Sequence, residues 1–292
     1  MATLKKQIWI NQLLNNFYPN SAFLNFVTKF DSLVEYDKLT LAEVGLDPIV
    51  LIDNTTYPIA VTGRSDNPIE ITMKLFETEN TLVRSPDAVE LAYDKVESVI
   101  YGHKQALQTA TAKIAAHAYA PDTNTANTPV IYTTGEDNGE GFKRMTSRDI
   151  FRLKRSYDDA EIPLEDRYLV LDPSHVEDLL LESASVFKDM FEMTEGKPKR
   201  YAGFGMLEFS RNPKYNYVTG AKIPFEAVGE NVTRSSFSFQ KNEVMRADGK
   251  VKMYANKDDA EHRATIIGFD KRFVALPFRN KGVGAIISAK IA

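Results

Sequence analysis

Cysteine is absent from the 292 residues. That excludes disulfides, thiolate metal sites and cysteine nucleophiles, and it is compatible with a reducing compartment. Histidine is scarce, with four residues, and Trp9 is the single tryptophan. No stretch approaches the ~18–20 apolar residues of a membrane-spanning helix. The first residues, MATLKKQIWINQLLNNF, are broken by Gln7, Asn11, Gln12, Asn15 and Asn16 and are too polar for a signal-peptide core. Without a secretory signal, the glycosylation-like triplets at Asn54 and Asn231 read as coincidence. A basic excess is missing as well: 36 Lys and Arg against 40 Asp and Glu leave a net charge of −4. That argues against a dedicated nucleic-acid binder, though not against a protein that encloses DNA without gripping it.

What is present is an ordinary globular mixture, 43% hydrophobic and 26% charged, long enough for one large domain or two smaller ones. The first thirty residues carry two short helical stripes. Ile8, Trp9, Leu13, Leu14 and Phe17 form one; Phe23, Phe26, Val27 and Phe30 form the other. An aromatic-rich chain end needs a cover. A membrane surface is one reading, disfavoured by a polar face of Asn and Gln rather than Lys and Arg; this protein's own body or a neighbouring copy is the other. Residues 33–84 read as β structure, clearest at 69–75, where Ile69, Ile71, Met73 and Leu75 alternate with polar residues. Earlier strands are expected at 38–44 and 57–62.

Ser85-Pro86-Asp87 is a strong helix start, with Ser85 as the expected cap, and Pro121 sets the far limit. Between them Val89, Tyr93, Val96, Ile100, His103, Leu107, Ala110, Ile114 and His117 recur in steps of four and three, predicting a rod of roughly 50 Å. Residues 121–142 read as an exposed loop around a short strand at 130–132. A helix is expected at about 147–159, a strand at 168–171, and a third helix with Val176, Leu179, Leu180, Ala184, Phe187 and Phe191 on one face. Strands are expected at 201–209, 215–218, 235–240, 250–254, 264–269 and 273–276.

The one place that invites a chemical reading is the elbow Asp172-Pro173-Ser174-His175, followed by Glu177 and Asp178. A serine-hydrolase elbow wants glycines around the nucleophile, and none is near. A helix start accounts for the same residues: Asp172 caps ahead of Pro173, or Ser174 and Glu177 form a capping box. His103 and His117 lie roughly 20 Å apart along the rod, too far for one metal. His262 follows an acidic loop that reads as solvated. Gly203-Phe204-Gly205 lacks the third glycine of a dinucleotide motif, no P-loop occurs, and 136–141 lacks alternating calcium ligands. No catalytic, cofactor or metal constellation is therefore expected.

The order of arm, β excursion, long rod and mixed remainder resembles the major capsid proteins of tailed bacteriophages, the Hong Kong 97-type fold. The segment TSRDIFRLKRSYDDAEIPLEDRYLVLDPSHVEDLL carries the most specific part of the resemblance, with Glu161-Ile162-Pro163, then Arg167, an aliphatic strand, a proline and a helix ending in Leu-Leu. EGKPKRYAGFGMLEFSRNP and GFDKRFVALP are similar to later strands of such coats.

The resemblance implies an α+β fold divided into an N-terminal arm at 1–36, an extended loop at 37–84, and a spine helix with peripheral domain at 85–144. An axial domain would follow at 145–263, with a return to the periphery at 264–292. It implies a non-enzymatic, cofactor-free subunit that assembles with itself, as hexamers and pentamers, into an icosahedral virion shell around double-stranded DNA touched only by non-specific proximity. The subunit would be made in the bacterial host cytoplasm, with a portal and a separate scaffolding protein as expected partners, decoration proteins as further ones, and no membrane. Subunit contacts are expected at Trp9, Leu13, Phe17, Phe26, Ile69, Ile71, Met73 and Leu75. The alternatives are an encapsulin-type nanocompartment shell, another phage structural component, or a hydrolase using the 172–178 elbow.

Overall fold

The computed structural model describes residues 22–31, 38–43, 67–188, 193–194, 196–262 and 264–291. The expected strand at 57–62 and the contact residues Trp9, Leu13 and Phe17 lie outside them. The chain enters through a short helical turn, Ala22–Phe26, and strand β1, Thr28–Lys29. Strands β2, Lys38–Glu43, and β3, Asn67–Thr72, pair antiparallel from Lys38 opposite Thr72 to Glu43 opposite Asn67. The alternating run at 69–75 is not one strand: β3 ends at Thr72, β4 spans Lys74–Glu77, and β5 follows at Thr81–Arg84.

Helix α1 runs Ser85–Tyr119, 35 residues, or about 50 Å. Arg84, not Ser85, occupies the cap position, and Pro86 sits in the first turn. At the far end the buried Lys222 supplies the cap, donating from Nζ to the carbonyls of His117 (2.8 Å) and Ala120 (2.6 Å) while paired with Asp122 at 2.8 Å. The apolar stripe also departs from expectation. Ile100, His103 and Leu107 are buried, but beyond them Thr111, Ala112, Ala115, Ala116 and Tyr119 replace Ala110, Ile114 and His117. Alternating steps of four and three average 3.5 residues and drift off one face of a 3.6-residue helix. The burial moves with the surroundings, from Val251, Met253, Ile267 and Phe269 at one level to Phe23, Phe237 and Phe239 at the next.

The remaining elements are β6 (Val130–Tyr132), α2 (Ser147–Asp159), β7 (Arg167–Leu171), α3 (Pro173–Glu182), α4 (Ala184–Phe187), β8 (Met193–Thr194), β9 (Lys197–Pro198), β10 (Arg200–Tyr201), β11 (Phe204–Glu208), β12 (Tyr215–Asn216), β13 (Val232–Thr233), β14 (Ser235–Gln240), β15 (Val244–Asp248), β16 (Lys252–Asp259), β17 (Ala264–Pro277) and β18 (Val283–Ile287). The expected third helix breaks at Ser183, whose extended backbone separates α3 from α4. Two expected strands fuse into β17. Asp270 and Lys271, which lie between the two expected strands, are both buried within it, and Lys271 pairs with Asp248 at 2.5 Å. The bare GxG serves a hairpin: Ala202 and Gly203, both at positive φ, form the two-residue turn between Tyr201 and Phe204.

Two six-stranded sheets result. The first runs β1-β15-β17-β16, with β4 and β5 also paired to β17. Its turn at 78–80 crosses β17 at Gly268, where a Cβ would stand 2.2 Å from Asn80 Oδ1. The second sheet runs β10-β11-β7-β14-β18-β6, with β11–β7 and β18–β6 parallel and the rest antiparallel. One face packs Leu169, Leu171 and Ile286 under α2 through Ile150, Leu153 and Tyr157. The other face sets Val170, Phe237, Phe239 and Ile287 against the end of α1 and Phe23. Being covered on both faces, β7 and β18 show no alternation of apolar and polar residues.

The strand pairings run across the boundaries of the expected ranges. β6, from the 85–144 segment, and β18, from the 264–292 segment, join the sheet of β7 and β14. β15 and β16, from 145–263, belong to the other sheet with β17. Strand pairing links segments more than a hundred residues apart, which contiguous sequence ranges do not anticipate.

Candidate assembly surfaces

At the elbow Asp172 is the cap. Its Oδ1 accepts from Ser174 N–H (3.1 Å) and Ser174 Oγ (2.8 Å), and Pro173 opens α3. Glu177 is exposed, so of the two capping schemes the structure takes the Asp-Pro one. His175 is fully buried. Its Nδ1 lies 2.6 Å from Ser236 Oγ and its Nε2 2.8 Å from Ser288 Oγ. Burial lowers its pKa to about 4, against the raising influence of Asp172 and Asp149. A neutral imidazole with both nitrogens engaged and no exposure joins α3, β14 and the segment after β18; it is not placed to take a proton from a substrate. Ser236 and Ser288 stand 61 and 113 residues from His175, and no local signal names them.

The other histidines stand apart. His103 is buried against Phe269, His117 Nε2 lies 2.9 Å from the Ile223 carbonyl, and His262 Nδ1 lies 2.9 Å from Asp259. Burial lowers the pKa of both His103 and His117. Among the described residues no group of three or more His, Asp or Glu side chains is arranged to hold a metal.

The expected contact residues separate into different environments. Phe26 stacks on this chain's own Tyr168, with ring centroids 4.8 Å apart. Beside it Phe23 packs within 5.6 Å of Phe209 and Phe237, so the turn at 22–26 is covered by its own body. Ile69 pairs opposite Leu41 in the hairpin, and Ile71 is half-buried. Met73 is only 3% exposed and packs with Met245, Ala247 and Val274 of the same chain. It sits where the hairpin leaves the body, so its side chain is taken by the body's core. Leu75, two residues on, is 45% exposed.

Three surfaces are left with unfinished business. The β2–β3 hairpin pairs, among the described residues, only with itself, and a two-stranded ribbon is marginal alone in water. Leu75 on β4 and Leu82 on β5 expose large apolar side chains on strands paired to β17. Leu164, in the loop before β7, is 59% exposed. None of these is a pocket for a small molecule. They are exposed strands and side chains.

No family model and no curated protein matches this chain. Among solved structures it is similar to the capsid of cyanophage P-SCSP1u, with a TM-score of 0.63 and 18% identity over 91% of this chain and 87% of that one. It is similar to the capsid of Ralstonia phage GP4, at 0.63 and 8% identity, covering 91% and 88%. A virus-like particle from Pyrococcus furiosus matches at 0.60 and 10% identity, covering 97% and 99%. At such identities the likeness lies in backbone architecture, and it extends over nearly the full length of both partners. The chain has the α+β capsid fold of the Hong Kong 97 type.

Proposed function

We infer that this protein is the shell-forming subunit of a tailed-phage or prophage head, self-assembling into an icosahedral container for double-stranded DNA. The observation that carries the reading is the two-way coverage of phage capsid structures, over 91% of this chain and 87–88% of theirs. A hairpin that pairs, among the described residues, only with itself and exposed leucines on paired strands fit a subunit completed by its neighbours. The net charge of −4 suits a wall that lies beside packed DNA without adhering to it. The role is structural, and the 172–178 elbow works as a helix cap. On this reading 1–36 is the arm and 37–84 the extended loop. A portal and a separate scaffold are its partners, and the shell forms in the host cytoplasm.

The likeness to the Pyrococcus particle supports a second reading with the same assembly physics, a nanocompartment shell. Content separates the two: nuclease-protected DNA against a protein cargo. The deciding experiment is particle mass by light scattering with negative-stain imaging of the purified protein. Rings, sheets or closed shells are expected; a stable monomer under crowding and with a scaffold supplied would overturn the reading.

A further inference from the structure

Helix α1 rests on two different floors. Its last turns place Ala112, Ala115, Ala116 and Tyr119 in one cluster with Phe23, Phe237 and Phe239, small residues under a broad aromatic cover. Over the first sheet the seam is thinner. Between positions 99 and 107 only Ile100, His103 and Leu107 are buried, at the level of Val251, Met253, Ile267 and Phe269. His103 is the middle one of the three. It is 7% exposed, its Nε2 finds no hydrogen-bond partner, and its ring lies 5.3 Å from Phe269, tilted by 52°. Leucine at this position would seal the seam without leaving a polar atom unmet. A buried polar atom with no partner calls for a reason.

No charge is placed to hold a proton on this ring, and burial alone lowers its pKa. On its own helix, Lys104 lies over the ring of the exposed Tyr101. Along β17 the next charge on the α1 face is Lys271, two residues past Phe269 and already paired with Asp248 of β15 at 2.5 Å. Tyr254 alternates with Met253 to the other face of β16, where its hydroxyl donates to Asp270. Lys74, Glu77, Glu79 and Arg84 on the β4–β5 side are exposed, as are Lys250, Lys252 and Lys257 on the β16 side.

We propose that His103 is an acid-operated catch: a proton on its imidazole opens the seam between α1 and β16–β17, while the seat of α1 on the second sheet stays shut. The sign follows from which form the closed seam accepts. Closure favours the neutral ring, so its contribution is complete above the ordinary imidazole value near 6.5 and is lost as the pH falls below it. His175 differs in its surroundings. It lies in the fully covered second sheet, where acid acts on the body as a whole, whereas a thin seam can open locally. β17 also pairs with β4, so an open seam re-aims the hairpin that β4 carries.

Hydrogen exchange of the full-length, unassembled subunit at pH 7 and pH 5, corrected for the intrinsic rates, tests the catch. Opening of the peptides at 99–107, 251–256 and 264–269 should rise several-fold on acidification. The ceiling is about thirtyfold, set by an open-state imidazole value near 6.5. Peptides at 112–119 and 235–240 should rise much less, and His103→Phe should flatten the response at the seam. An equal rise in all peptides, or a seam response that survives His103→Phe, would overturn the catch. With four histidines in the chain, an NMR titration of the ring protons decides the matter even where the variant fails to fold. His103 should titrate over the same pH range in which the seam peptides open. Titration near 6.5 with the seam still protected would show that the closed seam accepts the charge, and the catch would fall.

Discussion

In the sheet centred on β7 and β14, every residue of β7, β14 and β18 is buried, and its polar groups are paired within the chain. On the other sheet β4 alternates little: Lys74, Leu75 and Glu77 are exposed and only Phe76 is half-buried. The hairpin ahead of it pairs with no other described strand. The first region is complete in one copy and the second is not. Substitutions in the first should therefore register as lost subunit stability, whereas substitutions at the exposed margin of the second should register only as lost assembly.

The sharpest break of the complete region is at Arg167. Its guanidinium is buried over Tyr157, bonds the carbonyls of Ile162 and Pro163, and pairs with Asp158 at 2.8 Å. Arg167→Ala leaves two carbonyls without their donor and removes one of the two cations on Asp158, Lys154 remaining at 2.5 Å, at a cost of about 3–5 kcal/mol. Urea unfolding of unassembled subunits measures it, and Arg167→Lys should recover little because lysine lacks the fork. Met73→Ala should cost about 2–5 kcal/mol, since Met73 belongs to the body's core despite lying at the hairpin root.

How far the sequence foretold this comparison follows from the range of the interactions involved. Helix α2 was legible over 147–159, because a period of 3.6 is a local signal; the reciprocal bonds of Thr146 and Asp149 at its start are local as well. β6 and β14 were equally legible. β15 and β18 were not, since Arg246 interrupts one and glycines the other, and both are strands only because distant partners pair with them. The same limit hid the hydroxyl partners of His175, and it made Met73 look like a twin of Leu75. Alternation tells which side of a strand faces inward but not whose interior that is.

Acidification probes the complete region next. His175 titrates at about 4 when folded against an ordinary value near 6.5, so its neutral form is the one the fold accepts. Its contribution is fully present above pH 6.5 and is lost as the pH falls toward 4, roughly 3 kcal/mol in all. His175→Asn should lower stability at pH 7 but flatten the slope between pH 6.5 and 4. Asp178, whose carboxyl is raised by burial, tilts the other way in the same window, so the slope difference between variant and parent is the quantity to read. A smaller loss is expected from Lys222→Met, about 1–2 kcal/mol, as the last carbonyls of α1 lose their cap. Thermal unfolding of the unassembled subunit measures it.

The smallest expected effect on stability is the most informative. Leu75 is 45% exposed and lies opposite Arg272 on β17, so Leu75→Asp removes little that the single chain uses. Subunit stability should change by less than about 0.5 kcal/mol. In a shell, the same side chain buried against a neighbour is worth roughly 1.5–3 kcal/mol per contact, and an aspartate there adds a desolvation cost repeated around every ring. The variant should thus give well-folded subunits that fail to form particles, judged by unchanged urea unfolding beside light scattering. Normal shells from Leu75→Asp would show that β4 is finished within one chain after all. The incompleteness would then contract to the hairpin beyond Thr72.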